Sequence, residues 1–187
     1  MANIDAAFGL RAIGKVGQNR DNQGLSEYGI AASSTAIYQG DAIMMAATGK
    51  IIVGTAAAVL LGSLNGVFFT DATTGKPTYA NHLNASNTAS DIVGFVSDDP
   101  YERFEIQSDA ALTAAEVGQN ADIVYAAGST PNFISKVELD HSDLKDATAQ
   151  LRVIGISKDP ENNEAGAVDV NVVVIINEHF LKGTVGI

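Results

Sequence analysis

The run DVNVVVIINE at residues 169–178 constrains the fold of this chain more than any other segment. Successive side chains of a strand alternate between its two faces, so Val170, Val172, Val174 and Ile176 share one of them. Val173 and Ile175 make the opposite face apolar as well. A strand that is apolar on both faces is stable only inside a covered sheet, and its β-branched residues favour extended backbone. The run therefore predicts a central strand buried on both sides, and with it a mainly β body built as a β-sandwich or β-barrel. Its core must be aliphatic, because the 187 residues include 7 Phe, 5 Tyr and no Trp.

From residue 27 onward the pattern is of short strands set apart by turn residues, which predicts further strands at 28–32, 42–46, 50–53, 92–97, 103–107, 123–126 and 151–157. Thr48-Gly49 makes the tight turn of the hairpin 42–53. Residues 51–70 carry no charge, but Gly54, Thr55, Gly62, Ser63, Asn65 and Gly66 interrupt them. A membrane span needs roughly 20 predominantly apolar residues in sequence, so this stretch reads instead as two or three buried strands with glycine corners. Helix is minor: one or two turns are predicted in the Ala-rich residues 108–117, where Thr113 and Glu116 have capping-box spacing, and a second short turn after Asp140. Residues 81–91 and 128–132 read as loop and turn. VGFVSDDP at 93–100 and IGISKDP at 154–160 echo one another. Asp-Pro blocks continuation of a strand, so each copy is predicted to be one arm of a hairpin.

Residues 1–26 differ from the rest. They carry net +1 through Arg11, Lys15 and Arg20 against Asp5 and Asp21, while residues 27–187 carry −12. They are rich in Gly, Asn and Gln and hold no sustained period of either kind, which predicts an extended N-terminal arm ahead of a β-rich body at 27–187. Phe8 and Leu10 beside Arg11 are the side chains such an arm would present to a partner, together with Lys15 and Arg20.

The net charge of −11 opposes nonspecific attraction to nucleic acid or to an anionic membrane face. The absence of Cys removes disulfides, thiolate zinc sites and cysteine nucleophiles. The first residues lack the basic and apolar regions of a secretory signal, so export by the general route is not expected. No G-x-S-x-G elbow, phosphate-wrapping G-x-x-x-x-G-K-[ST] loop or G-x-G-x-x-G turn is present. His82, His141 and His179 are too far apart to form the helical pair that delivers two imidazoles to zinc. Glu138, Asp140, Asp143 and Asp146 cluster around His141 but lack the register of a calcium loop and read as a solvated acidic turn. Neither a cofactor nor an enzymatic activity is expected.

The opening ANIDAAFGLR, the segments GQNADIVYAAGST and VELDHSDLKDATAQLRVIGISKDP, and the closing VNVVVIINEHF together resemble small structural proteins of tailed-bacteriophage heads, in particular capsid decoration or cement proteins. Ala7 and Ala12 stand where that pattern carries Pro. The resemblance implies a non-enzymatic virion protein on the outer surface of the capsid, bound to the major capsid protein and to itself, as a trimer in preference to a dimer. A β-sandwich adhesion or carbohydrate-binding module is the alternative. The absence of Trp weighs against that alternative, since sugar sites present aromatic platforms.

Overall fold

The computed structural model describes residues 2–17, 24–31, 35–128, 130–145 and 147–183. The chain is mainly β, as the sequence predicts. Its strands are β1 (Arg11–Lys15), β2 (Ser26–Gly29), β3 (Ile37–Tyr38), β4 (Ala42–Met45), β5 (Ile51–Val53), β6 (Gly62–Thr70), β7 (Pro77–Ala80), β8 (His82–Leu83), β9 (Val93–Ser97), β10 (Glu102–Gln107), β11 (Asn120–Ala121), β12 (Ile123–Val124), β13 (Glu138–Leu139), β14 (Leu151–Ile156) and β15 (Asn171–Ile176). Among the described residues the helical elements are three single 3-10 turns, and no helix is long and apolar enough to cross a membrane.

One antiparallel sheet runs β1-β10-β15-β14-β11, with β15 at its centre. It curls on itself. Residues 120–124 pass from β14 to β13, and Leu139 of β13 bridges in parallel to Ser108, just past β10. Phe104, Ile106, Ile123, Leu151, Val172 and Val174 fill the interior so formed. A second sheet runs β2-β9-β6-β4-β5, with β7 also on β6, and Ile30 just past β2 bridges to Ile51 of β5. That bridge closes it around Ile30, Ile43, Ile51, Leu64 and Val96, and the β3-β8 pair adds Ile37 and Leu83 to the same core. Two small barrel-like units result. Gln150 ties them together: its side-chain amide donates to the carbonyls of Thr55 and Ala58 in the second unit, at 2.8 and 2.6 Å, and accepts from Ile123 N in the first.

The structure corrects two sequence expectations. Curling gives a sheet one interior, so Val172 and Val174 are buried while Val173 and Ile175 face outward and stay half-buried; β15 is central but covered on one side only. Of the two Asp-Pro echoes, IGISKDP is a hairpin arm because β14 pairs with β15, whereas VGFVSDDP is not. β9 stays in the second sheet and β10 enters the first, so the turn at Asp98-Asp99-Pro100 carries the chain between units. The short helical turn expected within 108–117 forms as a single 3-10 turn at Ala114–Glu116, with its Thr113–Glu116 capping box. Ser108 is still engaged with Val170 and Leu139, and Leu112 is drawn into the core, which leaves no residues for a longer turn.

The two faces of β15 make opposite predictions. V174D puts an unpaired charge in the barrel interior and is expected to cost several kcal/mol, enough to abolish cooperative thermal unfolding of soluble protein. V173D, one residue away, is expected to fold and melt cooperatively. Equal loss in both variants would contradict the one-sided burial.

Candidate functional site

The outward face of β15 is built from four strands whose registers fix its neighbours. Ile175 lies opposite Arg103 of β10 on one side and Arg152 of β14 on the other. Val173 lies opposite Glu105 and Gly155, and Glu105 in turn lies opposite Arg11 of β1. Residues directly opposite share a face of a sheet. Gly155 brings no side chain, and open space lies where its Cβ would stand. Val173 therefore floors an open groove of about 570 Å³, walled by Ile13, Ile156 and Pro160, by the cations Arg11, Arg103 and Lys158, and by Asp159 at the side of Lys158.

The charges on this face are unequally satisfied. Glu105 is buried and answered from within: Arg11 donates to it through Nε at 3.1 Å and through a second guanidinium nitrogen, and the Ser157 hydroxyl donates to its other oxygen. Arg152 has a neutral partner, Asn120 Oδ1, at 2.9 Å. Arg103 Nε is shut off from water with no acceptor. The Lys182 ammonium lies 4.8 Å from the centroid of the Tyr101 ring, and its pKa is pushed down by burial and then by the positive charge of Arg152. Asp99, which acts on Lys182 in the opposite sense, is ion-paired with Lys15 at 2.6 Å. Among the described residues no carboxylate is ion-paired with Arg103, Arg152, Lys158 or Lys182.

The N-terminal segment is extended, but the structure lays it on the body rather than away from it. Ala6 N donates to Gln107 Oε1, Gln107 Nε2 donates back to Ile4 O, and the Asn3 side chain bonds the carbonyls of Glu164 and Val168. Beyond it, β1 pairs with β10 as an edge strand. Leu10, expected to fill a partner's pocket, is 1% exposed and belongs to the first core, because the chain's own interior offers the apolar cavity that its side chain requires. Phe8 lies under the Arg11 guanidinium at 4.4 Å, Arg11 is held by Glu105 and Lys15 by Asp99. Arg20 lies outside the described residues. Of the predicted partner-binding residues, Arg11 is thus the one that the structure brings to the groove. Arg103, Arg152 and Lys182 were missed, since period-two spacing places each on an outward face without showing that the faces coincide.

The acidic cluster expected around His141 disperses. His141 Nε2 meets Glu116 at 3.1 Å, Asp143 pairs with Lys145 at 2.7 Å, Asp140 accepts from Ser142, and Asp146 lies outside the described residues. Glu138 turns instead toward Asp5 and Asp169, with oxygens of all three within 4.8 Å of one another. Burial and the neighbouring acids raise the pKa of Glu138, and that of Asp169 rises for the same reasons. Each residue brings one oxygen to this point, so the three supply only part of the six to eight oxygens that calcium takes. His82 is stacked face to face on Phe133, with centroids 3.7 Å apart. No family model matches the chain, and no curated protein or solved structure matches it either.

Two buried titratable groups sit where the units meet. Asp41 accepts from Tyr38 N at 2.8 Å, its other oxygen has no partner, and burial raises its pKa to about 6. His179, whose backbone bridges to Leu60, has its pKa lowered to about 4, first by burial and next by Lys182. A carboxyl pKa raised on folding means proton uptake by the native state, so Asp41 adds stability as pH falls through about 6. A histidine pKa lowered on folding means proton uptake by the unfolded chain, so His179 removes stability as pH falls from about 6.5 to about 4. Each effect is on the order of 2–3 kcal/mol and they oppose one another. H179Q is expected to melt at rising temperature as the pH is lowered across this window, and D41N at falling temperature. Parallel pH profiles in the two variants would show that these groups do not titrate as assigned.

Proposed function

We propose that this chain is a non-enzymatic structural protein of a tailed-phage virion, made in the bacterial cytoplasm, that binds the outer surface of the capsid and ties neighbouring major capsid subunits together. The observation that carries the reading is the outward face of β15. An apolar centre at Val173 and Ile175 is left uncovered by the chain itself, with Ile13 beside it 44% exposed, as expected of a protein that completes its fold against another. The resemblance of the segments at both ends of the chain to capsid decoration proteins supports the same reading. Self-association, as a trimer in preference to a dimer, belongs to the proposal. Purified protein added to expanded capsids that lack it is expected to bind saturably and to appear as symmetric density on the outer surface. Capsids that stay bare at micromolar protein would end this reading.

A specific observation keeps the carbohydrate-binding reading in play. On the outside of the second unit Phe68, Tyr79 and Phe95 form a row, with centroids 4.8 Å apart for Phe68 and Tyr79 and 6.4 Å for Tyr79 and Phe95, and Tyr79 is 75% exposed. Flat aromatic faces in a row can stack on sugar rings even without Trp. If this reading holds, a glycan array will give signal that Y79A loses about tenfold, while Y79A leaves the thermal melt unchanged.

A further inference from the structure

We infer that the outward face of the first unit, centred on Ile175 and flanked by Arg103, Arg152 and Lys182, docks an acidic patch on the surface of another protein. The inference deepens the decoration reading and rests on it only for the identity of that protein.

Three of the four arginines of a chain with net charge −11 come from positions 11, 103 and 152 and converge on this one sheet face. Arg11 is spent on buried Glu105, but Arg103 and Arg152 stand on either side of an apolar residue without a carboxylate. Arg103 lines the groove beside Val173, and its buried Nε has no acceptor, so the guanidinium charge beneath this face is unanswered by the described residues. Lys182 extends the same charge and is already depressed by Arg152, so like charges are held together at some cost. A carboxylate between two guanidiniums would receive paired N–H donors, and Ile175, Val173 and Ile13 would keep water from screening them.

Other occupants fit less well. A second copy meeting this face with its own identical face would set arginine against arginine. A nucleic acid offers a uniform run of phosphates but no apolar surface to cover Ile175 and Ile13.

The test uses the full chain, wild type and R103E/R152E, with R152E/K182E as a second pair in case loss of Arg103 disturbs folding; thermal melts identify which variants stay folded. Each is titrated against expanded capsids, poly-L-glutamate and single-stranded DNA of matched length. The wild type is expected to bind capsids and poly-L-glutamate with affinity that falls as salt rises, and a folded charge-reversed variant to bind both about tenfold more weakly or worse. Undiminished capsid binding by a folded variant would overturn the inference and leave the decoration reading standing. Binding of poly-L-glutamate through these residues with no binding of capsids would do the reverse. Tighter binding of DNA than of poly-L-glutamate, or loss of self-association in the variants, would replace the proposed occupant and overturn the inference.

Discussion

Each unit of this protein depends on the closure of a short sheet by a single backbone bridge. Ile30 to Ile51 closes one and Ser108 to Leu139 the other. A curled sheet has one interior, and that interior is narrow, so it takes aliphatic side chains in preference to large rings. The composition follows from this demand. Val172 and Val174 face the inside with Phe104 and Leu151, and Phe104 is the one aromatic residue of that core that is fully buried. Closure has a second consequence, because every apolar side chain of opposite parity is turned out. Val173 and Ile175 are therefore left at the surface by geometry, not by any lack of hydrophobicity.

The units are held to each other by close backbone approach and by buried amides. The N-terminal segment crosses the turn before β4 where Gly9 faces Gly40, both at positive φ (+74° and +87°). A Cβ on Gly9 would come within 2.2 Å of Gly40 O, and one on Gly40 within 2.4 Å of Phe8 O, so only glycine allows the crossing. It lets Leu10 N donate to Gly40 O at 2.8 Å and Leu10 enter the first core. Gln150 completes the junction, and Gln107 fixes the N-terminal segment to β10, each fully buried and each bonded to backbone groups of distant segments. Polar groups so placed are costly unless satisfied, and satisfying them fixes one arrangement of segments far apart in sequence.

This explains which parts of the fold were legible in the sequence. The strands at 42–53, 93–97, 102–107, 151–156 and 171–176 carry their own period and turn chemistry, and reading them needed no knowledge of the partner strand. β1 did not announce itself, because Arg11, Ala12, Ile13, Gly14 and Lys15 have no alternation, and β10 supplies the ordering. The FGL of the opening looked like a bait for another protein, and nothing local shows that Gly40 and the first core are waiting for it. β8, inside a polar stretch that reads as loop, is held by its pairing with β3 and by burial of Leu83. The candidate site was hidden for the same reason. Arg11, Arg103 and Arg152 are isolated cations in sequence, and register alone assembles them.

That assembly changes what the net charge means. A net charge of −11 opposes polyanions at long range, yet the same chain concentrates guanidiniums around Ile175, where Glu105 is buried and neutralised by Arg11 and Asp99 is paired with Lys15. Long-range repulsion and short-range attraction act over different distances, because fields beyond about 8 Å are screened at physiological salt while contact pairs against apolar neighbours are not. A partner must then offer carboxylates in register with Arg103 and Arg152 together with an apolar patch for Ile175, and the two demands combined select far more narrowly than either charge or hydrophobicity would alone.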